Sequence, residues 1–291
     1  MSGPYLELEL VNNPIISNMN YQTYDPHPDL SAIVKCYWTL EVPGDMEAPK
    51  QRIIPDGCIE MCFILGEGVK RFTSDTDYII QPRTMVFGQI TKPYFVQPTG
   101  YVNTFAVRFY PYGFANIIDV PIHELADTET PLTMLFDPEA VRDLELKMVE
   151  AASTEVRIEA IESLLLDRLS KEVVHENIVK STVEALEQTK GKASIQSILK
   201  DDVSQRRSLE RKFSKEVGIS PKQLGKVIRL QAALKMMLHN QEEKLTQVAY
   251  ENEYYDQAHF TKDFKDLTGI NPKSYFDDDQ MILSSLIYSK G

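Results

Sequence analysis

The sequence predicts an α+β protein: a β-rich amino-terminal barrel or sandwich domain, then helices and an all-α double helix-turn-helix domain. Three observations predict it. Short β-branched and aromatic runs broken by turn residues fill residues 33–110, helical spacing takes over after Pro111, and two similar helical units recur at an offset of 51 residues. A 291-residue chain that is 43% hydrophobic has enough apolar material for two cores.

The amino terminus, MSGPYLELELVNN, is acidic and lacks a basic-then-apolar export signal. No apolar run approaches the roughly 20 residues of a membrane-spanning helix. These readings predict a cytoplasmic chain with no membrane partner. Three cysteines, Cys36, Cys58 and Cys62, are an odd number and argue against a disulfide framework. Cys58 and Cys62 lie four apart in a strand-like stretch, but two thiols make no zinc site. The five histidines are scattered, without H-x-H, H-E-x-x-H or Cys-His pairing. No catalytic residue, metal ligand or cofactor is expected, and the chain reads as a non-enzyme.

The β-rich runs are IVKCYWTLEV, QRIIPDGCIEMCFILGEG, TMVFGQI and YFVQPTGYVNTFAVRFYPYG. A Pro-punctuated connector follows from Val120 to Leu132, then helical stretches over Glu139–Ala151 and Glu155–Val174. Leu164, Leu165, Leu166 and Leu169 form a broad apolar stripe on the second of these. Packing on the β domain and forming a homodimer helix both account for it. Domain boundaries are placed at 1–136 (β-rich), 137–179 (helical connector), 180–276 (double helix-turn-helix) and 277–291 (tail).

A net charge of −12 opposes binding to a polyanion, but the average hides an asymmetry. From Lys180 onward 18 basic residues meet 16 acidic ones, whereas residues 1–179 hold 13 against 27. Between Val203 and Lys235 nine basic side chains face two acidic ones, a local net of +7. A charge run alone is usually a solvated helix face, so spacing has to decide.

In the first unit Ile195, Ile198 and Leu199 share a helical face, and Ser204 precedes a helix whose Leu209 and Phe213 are four apart. Opposite them lie Arg206, Arg207, Glu210 and Arg211, long polar side chains suited to base edges and phosphates in a major groove. The second unit repeats the grammar with Leu245, Val248 and Ala249, then Asp256 as a cap, then Phe260 and Phe264. A helix over Gln223–Leu238 joins them. Readers held at fixed separation meet successive major grooves about 34 Å apart.

Leu209–Leu234, LERKFSKEVGISPKQLGKVIRLQAAL, and Val248–Phe276, VAYENEYYDQAHFTKDFKDLTGINPKSYF, resemble the two signatures of the AraC/XylS family of bacterial transcription regulators. The paired F-x-x-x-x-G-I-x-P phrases, Phe213–Pro221 and Phe264–Pro272, carry most of that specificity, and the match spans about a third of the chain. The resemblance implies a transcription regulator: a β-rich amino domain that senses or dimerises, and a double reader that binds double-stranded DNA. It puts base-reading positions on Arg207, Glu210 and Arg211, then on Ala258, Thr261 and Lys262, with Gln257 and His259 beside them. It makes Leu209, Phe213, Gly218, Pro221, Arg229, Ala233, Ala249, Tyr254, Phe260, Phe264, Gly269 and Pro272 core or turn positions.

This chain departs from the family pattern in places. A Gly common in the second unit's turn is Glu253, which tolerates positive φ poorly and predicts a turn of different shape. Gln205 replaces a usual Ser at the first reading helix. Residues 244–276 hold four basic against five acidic side chains, so the first reader is expected to supply most of the phosphate attraction.

RIIPDGCIE (Arg52–Glu60), RFYPYGFANII (Arg108–Ile118) and ELADTETPL (Glu124–Leu132) are similar to an amino-terminal domain found on a subset of these regulators. Pro55-Asp56-Gly57 is first a turn signal. The functional alternative makes Arg52, Asp56, Glu60 and Arg108 the polar lining of a small-molecule effector pocket, with Trp38, Tyr37, Tyr94 and Tyr101 as apolar walls or plain core. Two other classes stay open: a DNA-repair alkyl-transfer protein on the same reader, and a scaffold that no longer binds DNA. The tail, DDDQMILSSLIYSKG, joins an acidic cluster to an apolar stretch, and docking and fraying both remain open.

Overall fold

A computed structural model describes residues 19–44, 49–169, 178–199, 205–239 and 244–285. Among the described residues ten strands come first: β1 (Asn20–Tyr24), β2 (Val34–Val42), β3 (Gln51–Ile53), β4 (Ile59–Ile64), β5 (Val69–Phe72), β6 (Tyr78–Ile80), β7 (Thr84–Phe87), β8 (Tyr94–Pro98), β9 (Val102–Phe109) and β10 (Glu129–Pro131). They form a six-stranded sheet ordered β1-β2-β9-β4-β7-β10 and a four-stranded sheet ordered β3-β8-β5-β6. The register explains why the large sheet buries both faces. Trp38, Ala106, Cys62 and Met85 stand on one rung, and Tyr37, Val107, Met61 and Val86 on the next. Because successive side chains alternate, the first rung faces the smaller sheet and the second faces the helices.

Those helices are α1 (Pro138–Glu150) and α2 (Thr154–Arg168). Asp137 caps α1 by accepting from the Glu139 N–H, with Pro138 in its first turn. Ile161 and Leu165 of α2 are fully buried in the cluster that holds Tyr37, Phe63 and Phe105. The leucine stripe therefore packs on the β domain, although Leu166 stays exposed. Residues 170–174 of the expected second helix lie outside the described residues. β1 and β10 extend the strand region beyond 33–110, and β10 forms inside the Pro-punctuated connector by pairing with β7.

The carboxy half holds α3 (Ile178–Gln188), α4 (Ile195–Ile198), α5 (Arg206–Glu216), α6 (Pro221–His239), α7 (Leu245–Glu251) and α8 (Gln257–Thr268). α3 was not among the expected helices, yet Val179, Val183 and Leu186 mark it at helical spacing. One core gathers α3, α4, α5 and Leu224 around Leu209 and Phe213. A second gathers Leu230, Leu234 and Leu238 of α6 with α7 and α8 around Phe260 and Phe264. The linker helix α6 thus contributes to both cores.

The β domain is keyed into both. Tyr112 packs in the first helical core and Ile54 in the second. Between them Gln231 of α6 donates to the Pro55 carbonyl at 2.6 Å. Gly57 turns the chain there at φ +81, where a Cβ would stand 3.0 Å from Leu224 and 3.7 Å from Val227. The left-handed backbone and the close approach of Leu224 both favour glycine there.

Ile54 is 1% exposed and sits in the helical core. Truncation by Ile54→Ala is expected to lower unfolding free energy by about 2–5 kcal/mol in denaturant titration, through lost transfer energy and a residual cavity.

Candidate nucleic-acid interface and interior cavity

α5 presents one apolar and one polar face. Leu209 and Phe213 are fully buried, while Arg206, Arg207, Glu210 and Arg211 are all exposed. Arg206 pairs with Glu210 at 3.1 Å, four residues on, which fixes two of the four side chains relative to each other. The helix begins at Arg206 with Gln205 at its N-cap and no side-chain capping bond, and Ser204 lies outside the described residues.

α8 repeats this division. Phe260 and Phe264 are buried, Ala258, His259 and Lys262 are exposed, and Gln257 and Thr261 are half-buried. Asp256 caps the helix by accepting from the His259 N–H at 2.7 Å, as the sequence anticipates. Thr261 spends its hydroxyl on the Gln257 carbonyl, 2.8 Å away. A shallow depression on this face is lined by Gln257, Ala258, Thr261, Lys262 and Lys265. Gly269 ends α8 in the left-handed conformation, φ +79, the ordinary glycine stop.

Sequence reasoning missed what sets α8 against α6. Asp263 is 3% exposed, pairs with Lys226 of α6 at 2.8 Å and lies 3.6 Å from His259 Nε2. A buried carboxylate needs such partners. Its spacing from the phenylalanines hinted at an inward position, but an Asp on an amphipathic helix reads as solvent-facing. The Arg229 guanidinium, by contrast, follows the family pattern, stacking over Tyr254 and donating to the Gly191 carbonyl at 2.8 Å.

The turn between α7 and α8 corrects an expectation. Glu253 adopts φ +53, so the turn keeps the left-handed geometry a glycine would give, although a side chain there is strained. Lys192 lies 3.6 Å from the Glu253 carboxylate and donates to the Glu251 carbonyl at 2.7 Å, holding the turn from outside.

Between the two sheets lies a cavity of about 160 Å³. Asp56, Glu60 and Arg108 line it, as do Trp38 and Tyr94; Arg52, Tyr37 and Tyr101 do not. Tyr37 faces the helices and donates to Glu162 at 3.0 Å, and Tyr101 is 40% exposed. Arg108 reaches Glu60 at 2.7 Å and Asp56 at 3.5 Å, and the Trp38 indole N–H donates to Glu60 at 3.1 Å. Burial pushes the Glu60 carboxyl up against the opposing pull of Arg108.

Arg52 does something else. From β3 its guanidinium donates to the Thr268 carbonyl at the end of α8, to Asp278 at 3.1 Å and to Gln280 at 3.2 Å, and it stacks on Phe95. It grips the end of the second reading helix and the tail. The parity of β3 turns Arg52 away from the cavity, and strand alternation in a three-residue strand was too short to show it.

All three thiols are raised, Cys58 by burial to about 12, the opposite of the lowered value a reactive thiolate needs. Among the described residues no cluster of three or more His, Cys, Asp or Glu side chains is placed to hold a metal ion. No described helix is long and apolar enough to cross a membrane.

Comparison with known proteins follows this division of the chain. Residues 204–278 match the family described as helix-turn-helix domain, and residues 22–131 match a domain of unknown function, DUF6597. An uncharacterised HTH-type transcriptional regulator of Haemophilus influenzae is 25% identical over 178 residues, 56% of this chain and 55% of the relative, so the match spans about half that relative's length. Similar solved structures include ToxT of Vibrio cholerae, at 10% identity over 89% of this chain and 98% of that chain, TM-score 0.45. The cupin domain of an XRE family regulator of Enterobacter cloacae covers 32% of this chain and 98% of that one at 13% identity, TM-score 0.24.

Releasing the strain at the α7–α8 turn by Glu253→Gly is expected to raise stability by up to about 1 kcal/mol, read as a higher melting temperature. Residues 204–278 thus match a helix-turn-helix domain family, and they follow residues 22–131, which match DUF6597.

Proposed function

We propose that the protein is a sequence-specific transcription regulator that reads two successive major-groove segments of double-stranded DNA. The supporting observation is the pair α5 and α8: each buries two apolar residues four apart in a core shared with α6 and leaves its opposite polar face uncovered. In this reading Arg207, Glu210 and Arg211 of α5, with Arg206 beside them, meet one groove. Ala258, Thr261 and Lys262 of α8, flanked by Gln257 and His259, meet the next.

The two faces differ in charge and so in role. The exposed basic groups of α5 provide phosphate attraction and base contacts together. α8 carries Ala258 and a hydroxyl already bonded to its own helix, so it contributes shape and apolar contact more than charge. The sheet domain takes the part of a regulatory module whose small-molecule effector occupies the interior cavity beside Asp56, Glu60 and Arg108. The keying of Ile54 and Tyr112 into the helical cores gives such a signal a packed route to both readers.

Selection of bound sequences from random duplexes tests this directly. Two half-motifs separated by about one helical turn are expected; recovery of no enriched motif would overturn the proposal. On the selected duplex, Arg211→Ala is expected to cost about 1–3 kcal/mol concentrated at one base position. Equal weakening on every sequence would instead make Arg211 a phosphate contact.

A further inference from the structure

The cavity has a wall that the sheets do not supply. Leu283 and Ser284, beyond the helix-turn-helix domain in sequence, close it. Their turn is fastened on the β side by Gln51, whose side chain donates to the Asp279 carbonyl at 3.2 Å and accepts from the Leu283 N–H at 2.9 Å. Ser284 donates to the Arg52 carbonyl at 2.5 Å. On the other side Met281 is buried in the core of the second reader, and Ser285 meets the Tyr275 hydroxyl at 2.9 Å. One turn of chain thus touches the cavity with Leu283 and the reader's core with Met281, two residues apart. The Arg52 guanidinium ties the same turn to the last carbonyl of α8.

We propose that this cavity binds a mainly apolar molecule the size of one six-membered ring, uncharged or cationic at its polar end, and that the turn Asp278–Ser285 passes its occupancy to α8. Size comes first: a cavity of roughly 150 Å³ lined by aliphatic and aromatic groups holds one benzene ring, and this one measures about 160 Å³. Its walls are mostly apolar, among them Leu40, Ile64, Met85, Phe87 and Val96. The polar end carries two carboxylates, Asp56 and Glu60, against the single guanidinium of Arg108. Arg108 is already engaged, and Lys35 and Lys235 do not line the cavity. An incoming anion would meet carboxyl oxygens and a guanidinium already engaged by both of them, whereas a hydroxyl or ammonium finds acceptors. The inference deepens the effector part of the proposed function and rests on it for its biological purpose.

The chain's single tryptophan, Trp38, stands in the cavity wall and reports occupancy without DNA. Full-length protein is titrated with toluene, benzyl alcohol, benzylamine and benzoate while Trp38 emission is followed. Saturable changes are expected with the first three and at least tenfold weaker binding of benzoate. Cys62→Leu, whose larger side chain intrudes into the space a ring would occupy, is expected to abolish them. No binding by any probe, benzoate binding as well as the others, or binding that survives Cys62→Leu would each overturn the site. Hydrogen exchange with and without benzyl alcohol then reads the turn. Altered exchange at residues 279–285 and 265–270 is expected, with the second change lost in Asp278→Ala/Gln280→Ala, which removes the two tail acceptors of Arg52 outside the cavity, while probe binding stays. An effect on α8 that persists in this variant, or none in the parent, overturns the turn's role. Failure to bind any duplex, with these responses intact, sinks the regulator reading alone.

Discussion

The structure depends on the seating of one helix. α6 supplies Leu224 to the first reader's core and Leu230, Leu234 and Leu238 to the second, so neither reader has a complete interior without it. The same helix lies against the Pro55–Gly57 turn, which offers a carbonyl to Gln231 and a left-handed glycine whose Cβ, if present, would crowd Leu224. Close packing makes such a contact stiff: displacement of the turn strains the helix instead of being absorbed in a void.

The turn also begins β4, whose inner-facing residues are Glu60, Cys62 and Ile64. The distance in sequence from the cavity's ion pairs to the surface of α6 is therefore a few residues of one strand end. Asp56 belongs to both places, reaching Arg108 with its carboxylate while its other oxygen accepts from the Cys58 N–H at 2.9 Å to shape the turn. Arg52, on the preceding strand, extends the connection to the end of α8. Two reading helices and one cavity share a small set of neighbouring residues between positions 51 and 60.

What was legible in the sequence was what repeats. Phenylalanines four apart, glycines after them and a basic run between Arg206 and Lys235 carry periodic or local information, and the helices that they mark stand where the spacing puts them. The short β-branched and aromatic runs over residues 33–110 likewise marked a β-rich domain, barrel or sandwich. Long-range pairings were not legible. Strand β10 exists because Thr130 finds Val86, and nothing within ETP announces it. Arg52 looked like a pocket residue because it precedes a Pro-Asp-Gly turn; its partners lie more than 200 residues away. The tail's acidic cluster gave no sign of which cation it would meet. Glu253 departs in the other direction: the surrounding helices impose the turn and override the local penalty on positive φ.

The central claim is that two uncovered helix faces, one strongly basic, serve to hold DNA. Its most direct test is the salt dependence of duplex affinity for the full chain. Neutralising about four phosphates predicts a fall of roughly a hundredfold between 50 and 200 mM salt. Absence of duplex binding at the lowest salt, or an affinity indifferent to salt, would contradict the account.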